Sequence, residues 1–497
     1  MQNTNSVHVR LRLRATAPAH RAVSVLLCIA VLTASSFAQG PSPTADGELK
    51  LVVALFRHGV RAPTTGFQPE EANKHSNKPW PQLDDWKVMD NPDCDPVKNH
   101  DQNKGWAYLT IQGRKLAQGL GRYYGEYYRQ GGWSQGFNVY FWADGENQRT
   151  RQTAMGLAQG FRDTGLTPAQ VTVDSLKDCK GDLLFHPFKA GCGTPDPNEL
   201  ARIANDINAN WANWITVYQA PFDQLFRVLG CSNAAGCKFK GADKATGWPG
   251  GPDRTALITW KPQFSYASSA SEAFLLEYAN DMQVGWNNNI DSAAMRKMLF
   301  LHEFYFDQTE RRKYLAQVSG SNLVKEISNV INRKATGQES GCPHAPKESQ
   351  FVGLLGHDTN LAHVGKLFAL QWEFNDPRLP DDTRGLPAND ALPAGALVFE
   401  LRQRGADYVV RVEYVTLSLQ QMRNKADLDK PFRLLVRGPD CDYKFGPCEI
   451  SLVNFNYRVK HSVDERFLST CTLGLKPEQF CRQTPVPRRR TRSAKKP

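Results

Sequence analysis

With 497 residues, 41% of them hydrophobic and 22% charged, the chain can bury a sizeable core, and its composition excludes disordered and collagen-like classes. The net charge of +11 would suit a nucleic-acid-binding surface if it were spread over the fold, but it sits in the two tails. Arg10, Arg12, Arg14 and Arg21 precede the first acid, Asp46, and Arg482, Arg488, Arg489, Arg490, Arg492, Lys495 and Lys496 follow Cys481 unaccompanied by acids, so residues 22–481 are neutral on balance.

The apolar stretch 22–32 comes after the first basic cluster, and Ser36, Phe37 and Ala38 place small residues where a signal peptidase would cut. The stretch is too short for a bilayer core of about 30 Å. Residues 1–38 are therefore expected to be a cleaved signal peptide, and the mature protein to be periplasmic or secreted, without a transmembrane segment. Without Cys28, ten cysteines remain, an even number with no C-x-x-C pair. In an oxidising compartment these read as disulfides, with Cys231/Cys237 and Cys441/Cys448 near enough in sequence for local bridges.

Residues 49–56 form a short, continuous run rich in branched aliphatics, which predicts a buried strand of a parallel sheet. Arg57-His58-Gly59-Val60-Arg61-Ala62-Pro63 follows at the strand end, where open α/β sheets place their sites. Residues 64–105, rich in Pro, Asn, Asp and Lys, read as long loops. Leu109, Leu116, Leu120, Tyr124 and Tyr127 recur at roughly helical spacing; the intervening Gly119, Gly121 and Gly125 lack the strand-turn-helix context of a nucleotide loop and suit close helix packing instead. Residues 138–143 predict a second strand, followed by a turn bearing Arg149 and a helix through Phe161, on which Arg151 reads as a surface charge.

Residues 165–350 leave this rhythm and read mainly as helix at 199–229 and 264–334, broken by a Gly- and Cys-rich segment at 230–262. Strand character returns at 351–356, then His357-Asp358-Thr359-Asn360, an amphipathic helix at 361–370, and strands at 396–401 and 407–417. The expected fold is α/β, a mixed and mainly parallel sheet flanked by helices. Residues 49–180 and 351–481 would form the α/β domain, 181–350 an inserted α-rich cap, and 482–497 a basic disordered tail.

Three strand ends thus present Arg57, His58 and Arg61; Arg149; and His357 with Asp358. Arginine offers a planar fork of donors to phosphate oxygens, so Arg57, Arg61 and Arg149, joined by His357, would hold a phosphate group. His58, kept neutral by its arginine neighbours, is the candidate nucleophile. Asp358 is the candidate acid for a poor alkoxide leaving group, and could also cap the helix after it. The scattered histidines show no H-E-x-x-H, and neither zinc-spaced cysteines nor a G-x-S-x-G elbow appears, so no metal, cofactor or serine nucleophile is expected.

The heptapeptide 57–63 resembles the signature of the histidine acid phosphatases, the branch of the histidine phosphatase superfamily that includes periplasmic phytases and glucose-1-phosphatases. Residues 356–362 look like that family's second signature, 143–153 resemble the segment carrying its third phosphate arginine, and 395–400 and 420–423 resemble its C-terminal stretches. The resemblance implies hydrolysis of phosphate monoesters through a phosphohistidine on His58. It places Glu272 and Thr64 with the substrate-binding residues, and pairs Cys192 with Cys471 or Cys481. Thr64-Thr65 stands where phytases of the group often carry Thr-Lys, leaving inositol hexakisphosphate, glucose 1-phosphate and a broad range of monoesters open. The rival from another class is a non-catalytic binder of phosphate or sugar phosphates. A monomer without a specific nucleic-acid partner is expected.

Overall fold

The run 49–56 lies within strand β1 (Glu48–Arg57), which is buried from Leu51 onward. The computed structural model describes residues 47–64, 67–91, 105–134, 136–176, 182–187, 194–240, 242–248, 256–287, 290–338, 343–441 and 446–468. The expected signal peptide and basic tail, Thr65, and Cys94, Cys179, Cys192, Cys342, Cys471 and Cys481 lie outside the described residues. The two local disulfides are formed, Cys231 to Cys237 and Cys441 to Cys448. No helix among the described residues is long and apolar enough to cross a membrane.

After β1 come two single-turn helices, α1 (Pro69–Ala72) and α2 (Leu83–Trp86), within the stretch expected to be loop. Helix α3 (Ile111–Gln130) is capped by Thr110, whose hydroxyl accepts from Gly113 N. Strand β2 (Val139–Ala143), helix α4 (Gln148–Asp163) and strand β3 (Val171–Ser175) complete this part. The helical span holds α5 (Pro197–Val217), α6 (Gln219–Leu229), the antiparallel pair β4 (Lys244–Gly247) and β5 (Ile258–Lys261), α7 (Gln263–Ala279), α8 (Ser292–Thr309) and α9 (Lys313–Thr336). Then follow β6 (Phe351–Gly356), α10 (Asp358–Leu367), β7 (Gln371–Trp372), β8 (Ala396–Arg404), β9 (Asp407–Thr416), α11 (Leu419–Asn424), β10 (Phe432–Arg437), β11 (Cys448–Ser451) and α12 (Leu452–Ser462).

Nine strands form one sheet in the order β3-β2-β6-β1-β8-β9-β10-β7, with β11 paired to β9. The pairs β3-β2, β2-β6 and β6-β1 are parallel and the others antiparallel, so β1, β2, β3, β6, β7 and β9 run one way and β8, β10 and β11 the other. The sheet is mixed, with most strands codirectional, and helices flank it. β3, β7, β10 and β11 escape the sequence reading: β7 has only two residues, and pairing rather than local pattern makes the others strands.

Register brings the motifs together. Arg57 pairs with Gly356 across β1 and β6, and Ala143 pairs with Leu355 across β2 and β6, so three strands end side by side. Their continuations, His58, His357 and Asp144, emerge at one edge. Helices α3 and α4 pack against each other, and the glycines explain how closely. A Cβ on Gly121 would lie 2.1 Å from Leu157 O, and one on Gly160 would lie 2.0 Å from Gln118 O. The close-packing reading therefore holds for Gly121, and a Cβ on Gly119 or Gly125 would run into Leu428 or Thr164.

The antiparallel half carries a buried ionic cluster. Glu400 on β8 accepts from Arg402 Nη2 at 2.8 Å, Arg433 Nη2 at 2.7 Å and Tyr128 Oη at 2.9 Å. Burial would raise its pKa, but Arg433 and Arg402 outweigh that and hold it at about 2. Because the folded value is depressed, this contribution to stability is present above the unfolded glutamate value of about 4.3 and is lost as pH falls toward the folded value. Glu400→Gln should cost about 3–5 kcal/mol in urea unfolding at pH 6, since the buried Arg402 loses its carboxylate pair and the buried Arg433 keeps only Glu413 of its two. The cost should shrink as the measurement moves toward pH 3, and a pH-independent cost would rule out the charge as its source.

Candidate active site

The polar residues that follow the three parallel strand ends are buried and mutually held. His58 N donates to Gly356 O at 3.0 Å and His58 O accepts from Ala394 N at 3.0 Å, so the residue after β1 is pinned on both sides. His58 Nδ1 donates to Gly59 O at 2.8 Å, which leaves the lone pair of the neutral ring on Nε2. Burial pushes the imidazole pKa well below its usual range, helped by Arg149, Arg61 and Arg57, so the ring stays neutral in acid. Gly59 N donates to Thr153 Oγ1 at 2.9 Å, and that hydroxyl donates to Arg149 O, tying the loop to the first turns of α4.

Arg57, fully buried, donates to Ala391 O and pairs with Glu272 and, at 3.0 Å, with Asp358 Oδ2. Arg61 Nη2 reaches both oxygens of Glu272, at 2.9 and 3.0 Å. Glu272 comes from α7 and bridges the two arginines of the first motif. Arg149, the second residue of α4, directs Nη2 to His357 Nδ1 at 3.3 Å. Burial lowers its pKa, with Arg61 adding to the effect, to about 10, so it remains a cation. Arg57, Arg61 and Arg149 each keep a buried Nε without a hydrogen-bond partner among the described residues. Three unpartnered guanidinium donors in one cluster mark a place for an anion.

His357 is the N-cap residue of α10, and Asn360 holds it by accepting from His357 N at 2.8 Å. Its ring lies edge-on to His58, with centroids 5.5 Å apart. Burial and then Arg149 push its pKa down to about 3, against the opposing pull of Asp144. Asp358 is the first residue of α10 rather than its cap, and its Oδ1 accepts from Thr359 N at 2.8 Å. Burial would raise its pKa, but Arg57 and Arg61 prevail and hold it well below the carboxylate range. The N-termini of α4 and α10 both open at this cluster and add positive potential.

The sequence-predicted residues His58, Asp358, Arg57, Arg61, Arg149, His357 and Glu272 therefore form one connected group. Thr64 is exposed beyond them, and its carbonyl accepts from Phe67 N at 2.8 Å. Arg151 corrects the surface-charge expectation: it is buried, donating to Gly145 O and to Asn91 Oδ1 at 2.7 Å, and so braces the turn before α4. A first-turn arginine that folds back over its own turn leaves no trace in helical periodicity. Two residues not singled out by sequence also belong here. Asp144 follows β2, and His186 sits on the short segment 182–187. Asp144 Oδ2 accepts from His357 Nε2 at 2.9 Å and from His186 Nε2 at 3.1 Å.

Residues 48–227 match the family model of the histidine phosphatase superfamily (branch 2). Phytase AppA of Escherichia coli (strain K12) is 28% identical over 478 residues, spanning 90% of this chain and 98% of that protein. Among solved structures, the phytase of Citrobacter braakii superposes with a TM-score of 0.67 at 25% identity, over 85% of this chain and 99% of the other. The Hafnia alvei phytase in complex with myo-inositol hexakis sulphate gives a TM-score of 0.68 at 25% identity, with the same coverage.

Over residues 48–227 the chain is similar to the histidine phosphatase superfamily, branch 2, and over most of its length it is similar to bacterial phytases. These likenesses support a phosphoric monoester hydrolase.

Proposed function

We propose that the protein is an exported acid phosphatase that transfers the phosphoryl group of a monoester to His58 and then to water. The observation that carries this reading is the set of three buried arginines with unpartnered Nε donors beside a neutral His58 whose Nε2 is free to attack. Arg57, Arg61, Arg149 and His357 hold the three non-bridging oxygens, where the charge of the transition state resides. The Glu272 carboxylate occupies donors of Arg57 and Arg61, so a bound phosphate shares or displaces it. His58 Nε2 forms the P–N bond as the P–O bond breaks, and Asp358, protonated by the incoming ester monoanion, gives that proton to the departing oxygen. Asp358 then takes a proton from the water that cleaves the P–N bond, which releases phosphate and restores both residues.

Inositol hexakisphosphate is the leading substrate, supported by the likeness to phytases and by the inositol hexakis sulphate bound to the Hafnia alvei relative. Glucose 1-phosphate and a broad monoester range are the alternatives, because Thr65 stands where a cationic side chain would engage a second phosphate. The helical span 181–350 acts as the cap that sets this preference, since α7 within it delivers Glu272. Residues 1–38 direct export. The deciding measurement is kcat/KM for inositol hexakisphosphate, glucose 1-phosphate and p-nitrophenyl phosphate between pH 4 and 6. A preference of at least about tenfold for the hexakisphosphate, about 1.4 kcal/mol in transition-state binding, supports phytase action. Tight phosphate binding with no hydrolysis of any of the three would instead identify a non-catalytic binder.

A further inference from the structure

We propose that Asp144 is a positioning residue that, with His186, fixes the tautomer and orientation of His357 so that its Nδ1 edge meets the phosphate; this rests on the phosphate-holding role assigned to His357 above. Asp144 is wholly buried, and its N donates to Leu355 O at 3.0 Å, which anchors it to the end of β6. A buried carboxylate in a site built for a dianion repels the substrate and is costly to desolvate, so its presence needs a local reason. Its ion-pair partners among the described residues are not the clustered arginines but two imidazoles, His357 and His186.

A carboxylate only accepts, so both imidazoles present Nε2–H to it. Asn147 Nδ2 donates to the same oxygen at 2.8 Å, and Glu146 N donates to Oδ1 at 3.2 Å, leaving the carboxylate little freedom to turn. With Nε2 committed, the Nδ1 edge of His357 faces Arg149 at 3.3 Å, on the side of the arginine cluster. A dianion at Nδ1 raises the affinity of the ring for a proton, so His357 takes one from solvent and donates through Nδ1, clamped between Asp144 and the dianion. A carboxylate that holds a histidine in one tautomer for work at its other nitrogen is a familiar arrangement in hydrolases.

His186 is itself held firmly. Asn360 Nδ2 donates to Phe185 O at 3.0 Å, Asn322 Nδ2 to Leu183 O at 3.1 Å, and Leu184 N to Asp182 Oδ1 at 2.9 Å. Asn360 thus joins the backbone of His357 to the segment that carries His186. Asp144, His186 and His357 offer three donor atoms within 4.8 Å of one another, so zinc is the competing explanation. The separations of 2.9 and 3.1 Å to one shared oxygen are hydrogen-bond lengths, and Asn147 takes that oxygen as well.

The test is a double-mutant cycle on the full chain, with Asp144→Asn, His357→Ala and both together, assayed with p-nitrophenyl phosphate. Asp144→Asn should lower kcat/KM about 100-fold, mostly in kcat, as loss of an orienting partner does. In the His357→Ala background the same change should cost less than about threefold, because Asp144 acts through that ring. Should Asp144→Asn fail to fold, His186→Ala reports on the same link, with a loss of about tenfold alone and none in the His357→Ala background. Equal losses in both backgrounds, or an Asp144→Asn enzyme within threefold of wild type beside an impaired His357→Ala, overturn the proposal alone. Full activity in His357→Ala removes the underlying reading, and the proposal with it. One equivalent of zinc retained by the wild type and lost on Asp144→Asn overturns it in favour of a metal site.

Discussion

His58→Ala should yield a folded protein that still binds phosphate but turns over monoesters about 10⁵-fold more slowly or worse, the scale of nucleophile removal in other covalent hydrolases. Little else in the cluster can take over. His357 has Nε2 committed to Asp144 and Nδ1 turned to Arg149, and the remaining members are guanidiniums and acids. Phosphate affinity, read by calorimetry, should stay within about tenfold, because the clamp of Arg57, Arg61, Arg149 and His357 is left in place. Hydrolysis at more than a few per cent of the wild-type rate would eliminate the covalent route in favour of direct attack by water.

The second large effect is on the leaving group. Asp358→Asn should slow alkyl phosphates by about 10²–10⁴-fold, while p-nitrophenyl phosphate, whose phenolate departs without a proton, loses less than about tenfold. Equal losses for the two substrates would take the acid role away from Asp358. The free enzyme holds this carboxyl ionised beside Arg57, at 3.0 Å, so its proton must arrive with substrate. A phosphate monoester loses its second proton near pH 6, and a monoanion entering the clamp carries the proton with it. kcat/KM for alkyl phosphates should therefore fall above about pH 6, and a flat profile from pH 5 to 8 would contradict this source of the proton.

The chemistry-bearing residues that were legible in the sequence share one trait, an abrupt change from buried strand to polar turn. The apolar runs ending at Phe56 and Gly356 announce where the chain leaves the sheet, so Arg57, His58, His357 and Asp358 could be placed without knowing the partners of either strand. Arg149 followed from the same logic one strand over. What stayed hidden depends on contacts distant in sequence. Glu272 was placed at the site by the family resemblance alone, since it lies on α7, a helix buried on nearly every side, where nothing local marks the one position that reaches Arg57 and Arg61. Asp144 lay within a segment already recognised, but its importance appears only when His186 and His357, 42 and 213 residues away, meet at its oxygen. Arg151 was misread because helical spacing shows which face a residue occupies and not whether its side chain folds back into the turn before it.

The parallel register of β1, β6 and β2 also separates two kinds of change the molecule can accept. Adding or deleting one residue in any of these strands would shift one member of the cluster about 3.3 Å past its neighbours and turn its side chain to the other face, so the register tolerates no indel there. The chain between β3 and β6, by contrast, runs from Ser175 to Phe351, and among the described residues it reaches the cluster chiefly through Glu272, on Arg57 and Arg61, and His186, on Asp144. Insertions in the loops of that stretch should alter which ester is admitted while the strand ends keep their spacing. Such a molecule can diversify its diet over evolutionary time without rebuilding the step that breaks the bond.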